Sequence, residues 1–175
     1  MKTIKINLYL FAELSEEAKQ KAIEKNYSIN VEHGEWWDGT YMDAENIGLK
    51  LHHFDIDRNR HATGQFTLSA AEVAANIMRD HGPDCETYKT AEAFLEEFNP
   101  VFGAYMDESN IKFETRETEE ELMELEEEFL KNLLGDYSII LQRESEYLQS
   151  EEAIIETFEA NEYTFEEDGT MNNSI

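Results

Sequence analysis

A chain of 175 residues with 40 acidic and 14 basic side chains has a formal charge of -26, a field that repels nucleic acid and anionic membranes and attracts basic surfaces. Its 41% hydrophobic and 11% aromatic residues exclude a wholly disordered chain, and a lone cysteine, Cys85, excludes a disulfide framework and fits a reducing compartment. No apolar run approaches the roughly 20 residues that span a bilayer, and Glu13 arrives before any cleavage site, so an intracellular soluble protein is expected.

Residues 3–10 alternate Ile4, Ile6, Leu8 and Leu10 with Lys5, Asn7 and Tyr9, the pattern of a half-buried strand with the aliphatic side inward. Ser15 then caps a helix through LSEEAKQKAIEKN, and a loop with Gly34 follows over 27–35. Trp36, Trp37, Tyr41, Ala44 and Ile47 recur at roughly helical spacing, with Gly48 as the C-cap. Residues 49–57 and 61–67 read as an antiparallel strand pair turning through Arg58, Asn59 and Arg60.

Ser69 caps a helix that buries Val73, Ile77 and Met78 and stops at Gly82 and Pro83; Thr90 caps another, with Phe94, Leu95 and Phe98 inward, that Pro100 ends. A junction with a short strand over 111–115 leads to a helix from Thr118 to about Leu148, with Gly135 as a kink site. Ser150 caps a last helix, which pairs with its predecessor as an αα-hairpin, and Tyr163 and Phe165 mark a short strand. The expectation is an α+β fold: a small antiparallel sheet with packed helices over 1–100, a junction over 101–117, and an acidic helical hairpin with a terminal strand over 118–175.

Charge is unevenly spread. Residues 1–100 hold 18 acids and 10 bases, net -8, whereas residues 101–175 hold 22 acids and 4 bases, net -18. The densest stretch places eight carboxylates, Glu117, Glu119, Glu120, Glu121, Glu124, Glu126, Glu127 and Glu128, in twelve residues. Thr118 and Glu121 have the spacing of a capping box, and Leu122, Leu125, Phe129, Leu133, Tyr137 and Ile140 form a stripe that can bury. At about 1.5 Å rise per residue the run carries one charge per roughly 2 Å, close to the about 1.7 Å of duplex DNA. A solvated helix face explains the same letters, at a small cost from i,i+4 repulsion such as Glu120 with Glu124.

Other constellations carry less. His53, Asp55 and Asp57 share a strand face that suits a divalent ion, but no second cluster completes a ligand set. His81 and Cys85 flank Gly82 and Pro83, so they form no helical ligand pair, and nothing places His81 as a base for a Cys85 nucleophile. Trp36, Trp37 and Tyr41 suit either a core or a binding hot spot. The glycines are scattered singly, which gives no phosphate loop, and no local basic patch stands out. No catalytic residue, metal or cofactor is expected.

FAELSEEAKQKAIEKN, EWWDGTYMDAENIGLKLHHFDIDR and ILQRESEYLQSEEAIIETFEANEYTFEEDG resemble segments of small acidic proteins encoded by bacteriophages and mobile elements, whose shorter relatives are labelled antitoxin-like. The resemblance implies a phage product in the cytoplasm of a bacterial host. By analogy it implies an anti-defence inhibitor, anti-CRISPR or anti-restriction in type, whose carboxylates occupy the basic groove of a nucleic-acid-handling protein. The alternatives are an antitoxin-like or adaptor protein that occludes its partner through Trp36, Trp37 and Tyr41, and, third, a metal-dependent enzyme at His53, Asp55 and Asp57.

Overall fold

A computed structural model describes residues 7–108 and 115–172 of the chain. In chain order it contains β1 (Tyr9–Leu10), a 3-10 turn at Phe11–Glu13, α1 (Glu16–Lys25), α2 (Asp38–Ile47), β2 (Leu49–Asp55), β3 (His61–Phe66), α3 (Ala70–Asp80), α4 (Glu86–Glu108), α5 (Thr115–Leu148), α6 (Glu151–Ala160) and β4 (Thr164–Phe165). The fold is α+β, with helices packed around two antiparallel strand pairs, β2 with β3 and β1 with β4. Residues 3–6 of the expected first strand, and 111–114 of the strand expected over 111–115, lie outside the described residues. Thr115 opens α5 instead.

Packing divides the chain into two compact units, residues 37–142 and residues 1–36 with 143–175. These cuts differ from the boundaries that composition suggests at 100 and 118. The reason is that α4 runs through residue 100, and β4 near one chain end pairs with β1 near the other.

In the unit of residues 37–142, Gly48 ends α2 at φ 93, where its N–H reaches the carbonyls of Ala44 and Glu45. The hairpin that follows pairs Leu49 with Phe66 and Leu51 with Gly64, then His53 with Thr63, so His52 is the extra residue of a bulge. A bulge shifts the inward face by one residue. Leu49 and Leu51 are buried before it, whereas Phe54 meets Trp37 and Tyr41 after it. A Cβ at Gly64 would sit 2.5 Å from the Lys50 carbonyl oxygen and 3.1 Å from Leu134 Cδ2, so glycine is what lets α5 lie close to the strand. Ser69 and Glu72 form a reciprocal capping box on α3, whose Val73 and Ile77 are fully buried.

Three helix boundaries differ from expectation. α4 begins at Glu86, so Thr90 is interior, and its hydroxyl donates to Asp136 at 2.6 Å. Pro100 lies inside α4 rather than ending it. A proline there removes an N–H and costs about 3 kcal/mol, yet Phe94 stacks on Phe129 at 4.3 Å and Phe98 on Phe102 at 5.4 Å, and this packing on both sides carries the helix through. α5 begins at Thr115, which puts Thr118 and Glu121 within the helix and not at its cap. The helix continues through Gly135 without a break.

The inward stripe of α5 is Phe129, Leu133, Tyr137 and Leu141, all buried at steps of four, with Leu122 and Leu125 half-buried before them. The stripe ends on Leu141 at 0% exposure rather than on Ile140 at 36%: each step of four overshoots the 3.6-residue turn, so the buried face drifts around the helix and takes in the later residue.

The other unit is held by rings. Phe11, Phe158 and Phe165 lie 5.0 to 6.0 Å apart between the 3-10 turn, α6 and β4, and Ala18, Ala22 and Ile23 of α1 close the cluster. Ser15 and Ser150 cap α1 and α6 through the amides of Ala18 and Ala153. Tyr9 pairs with Phe165 and so shares its core face, which leaves Leu8 and Leu10 43% and 48% exposed, the reverse of the expected alternation. Gly169 has φ 82, and a Cβ there would drive into the Ala18 carbonyl.

Candidate partner-binding surface

The acidic run forms the first turns of α5. Glu117, Glu119, Glu120, Glu121, Glu124, Glu127 and Glu128 are exposed, and Glu126 is half-buried. At about 100° per residue, Glu117, Glu120, Glu121, Glu124, Glu127 and Glu128 fall within an arc of about 120°, opposite Leu122 and Leu133 and bordered on one side by Leu125. Glu119 and Glu126 lie off that arc, beside Met123. The face a partner would meet thus holds six carboxylates over about 16 Å of axis, one per about 3 Å, nearer the 3.4 Å per charge of a single strand than the density of a duplex. The lysine and arginine ion pairs of the described residues include Lys19–Glu16, Lys21–Asp168, Arg79–Asp80 and Lys89–Glu86, and none of these draws on the run. Tyr105 Oη donates to Glu119 at 3.4 Å, which ties this off-arc carboxylate to α4.

The aromatic candidates divide. Trp37 and Tyr41 pack edge-on to Phe54 at 5.5 and 6.2 Å, so they are half-buried supports of the hairpin, and Trp36 belongs with the other compact unit. His53 faces His61 across the strand pair at 6.1 Å, while Asp55 Oδ1 accepts the Asp57 N–H at 2.8 Å, closing a turn beyond the strand end. Among the described residues no group of three His, Cys, Asp or Glu side chains is placed to hold a metal ion. Cys85 is exposed, and His81 turns instead to Thr87.

Two arrangements escape the sequence. The first is a polar chain inside the unit of residues 37–142: Tyr137 Oη donates to Asp43 Oδ2 at 2.7 Å, and His81 Nδ1 lies 2.8 Å from Thr87 Oγ1. His81 Nε2 sits 3.5 Å from Asp43 Oδ1, within reach of charge attraction but without hydrogen-bond geometry. His81 holds the Asp43 carboxyl below its usual pKa against the opposing effect of burial, and the Tyr137 hydroxyl adds to that lowering. Burial pushes the Tyr137 phenol far up. Thr87 is only 3% exposed, so the Thr–His–Asp order presents no nucleophile to a substrate and is a structural network.

The second is cationic. Arg60 from the hairpin turn and Lys131 from α5 line two adjoining grooves of about 640 and 410 Å³, with Lys89 on the far wall of the larger. No basic patch stands out in the sequence because these residues come from three separate elements. One signal was available: Lys131 is the only base between Glu117 and Gln142.

No family model, curated protein or solved structure matches this chain. Among the described residues no helix is long and apolar enough to cross a membrane.

Proposed function

We propose that this chain is an acidic inhibitor, phage-encoded as its sequence resemblance implies, that seats the outer face of α5 in the basic nucleic-acid-binding groove of a bacterial defence protein, anti-CRISPR or anti-restriction in type. The observation that carries the reading is the single-face array Glu117, Glu120, Glu121, Glu124, Glu127 and Glu128, set on a helix whose opposite side is anchored by Phe129, Leu133 and Tyr137. An anchored helix presents its charges without first paying the entropy of ordering them, which favours binding through preorganisation. No catalytic group, metal or cofactor enters the proposal.

The test is competition. The protein displaces DNA or RNA from the partner, and its affinity falls steeply with salt, because exposed charges are screened over about 8 to 10 Å at ordinary ionic strength. A pull-down from host lysate at low salt, eluted by a salt step, supplies the partner. Changing the six arc glutamates to Gln abolishes competition, whereas changing only Glu119 and Glu126 to Gln shifts affinity by no more than about fivefold, since rim charges of this kind together contribute under about 1 kcal/mol. Equal losses from both variants, or none from the first, would dismiss the helix face as the binding element.

A further inference from the structure

We infer that the larger groove, between α4 and α5, binds a small organic anion whose charged head, a phosphate or a carboxylate, sits between Arg60 and Lys131. Its apolar body lies on Phe94, Leu125 and Ile139.

Acids far outnumber bases in this chain. In a chain with 40 acids and 14 bases, a cation has many carboxylates within reach, and four of the described lysines and arginines are paired. Of the six other lysines and arginines whose side chains are described, Arg60 and Lys131 are the two that line one groove. Arg60 Nη1 donates to the neutral Gln142 Oε1 at 2.8 Å, and its other guanidinium donors have no acceptor among the described residues. Lys131 makes no hydrogen bond or ion pair among the described residues, although Glu127 and Glu128 lie one turn back on the same helix. Both cations line both grooves. A planar fork beside a mobile ammonium is the combination that holds phosphate or carboxylate oxygens.

The walls restrict what enters. Asp136, which also lines the groove, is engaged by the Thr90 hydroxyl at 2.6 Å, so one of its oxygens already accepts a hydrogen bond. Glu97 and Glu128 stand exposed at the rim, where they repel a chain of phosphates but leave room for one charged head. A volume of about 640 Å³ falls in the range of small-molecule sites, and Phe94, Leu125, Phe129 and Ile139 give an otherwise polar lining an apolar strip. The groove shares Glu128 with the glutamate face, but neither Arg60 nor Lys131 enters that proposal, so anion binding and nucleic-acid competition are tested by different variants.

The experiment is an NMR titration of the full chain with phenyl phosphate, benzoate and inorganic phosphate. Saturable shifts are expected at the amides of Thr90, Lys131 and Gly135, with phenyl phosphate or benzoate binding at least about tenfold more tightly than inorganic phosphate, and the better of the two identifying the head group. Each of Arg60→Gln and Lys131→Gln weakens binding about tenfold, the size of one charge-assisted hydrogen bond, while the rest of the spectrum stays in place as a check on folding. Absence of saturable shifts with both organic anions overturns the inference. So does undiminished binding by the double variant, or inorganic phosphate binding as tightly as phenyl phosphate.

Discussion

Among the described residues Tyr137 is the largest side chain fully removed from solvent, and it brings a hydroxyl into the core whose acceptor is Asp43, distant in sequence. A hydrogen bond to a charged group is worth about 1.5–3 kcal/mol; Asp43 is half-exposed, so solvent screening brings the expected cost of Tyr137→Phe to about 1 kcal/mol near neutral pH. The sign of the pH dependence follows from the lowered Asp43 pKa. A carboxyl depressed on folding contributes stability above its unfolded value of about 3.9, and that contribution is lost as pH falls through the folded value. Urea unfolding of both proteins at pH 7 and pH 3 should show the gap narrowing at the lower pH. A gap unchanged across that range would mean the hydroxyl matters only for packing. None of this network is legible in the sequence, because His81, Asp43 and Tyr137 come from three elements and their meeting depends on how α2, the end of α3 and α5 assemble.

At the scale of elements, local signals worked where one residue decides a local hydrogen bond. Ser15, Ser69 and Ser150 each accept an amide at a helix start, and Gly48 takes the left-handed conformation at a helix end. They failed where tertiary contacts compete. Thr90 and Thr118 have capping chemistry but sit inside helices, and Pro100 is carried through by aromatic packing before and after it. The bulge at His52 is likewise a property of the strand pair rather than of one strand. Helical spacing alone places the glutamate side chains around α5, although it is Glu117 and Glu121 rather than Glu119 that share the arc with Glu120, Glu124, Glu127 and Glu128; the buried stripe was legible up to its final residue. Pro100→Ala restores the amide that can bond to the Glu96 carbonyl. It should therefore raise stability by about 1–2 kcal/mol, the helix gain less the entropy it returns to the unfolded chain. Urea midpoints measure the gain, and slower hydrogen exchange at Val101 and Gly103 would locate it. A lower midpoint would show that the surrounding core requires the proline's geometry.

At the scale of the molecule, the unit of residues 1–36 and 143–175 takes its core from both ends of the described chain: Phe11, Ala18 and Ala22 from one side, Ile154, Phe158 and Phe165 from the other. The unit of residues 37–142 has its own core, from Leu49, Val73, Phe94 and Leu133. A chain shortened to end at Gln142 should therefore retain hydrogen-exchange protection at Val73 and Leu133 while Ala22 and Ile23 exchange as fast as an unstructured peptide. Protection at Ala22 in the shortened chain would refute the division.

The pairing of β1 with β4 also orders events in time. As the polypeptide leaves the ribosome, the segment around Phe11 and Ile23 emerges before its packing partners and must wait, its apolar side uncovered, until α6 and β4 have been translated. The interval is one in which chaperones and proteases compete for that segment, so in the cell its survival depends on how quickly translation reaches Phe158 and Phe165.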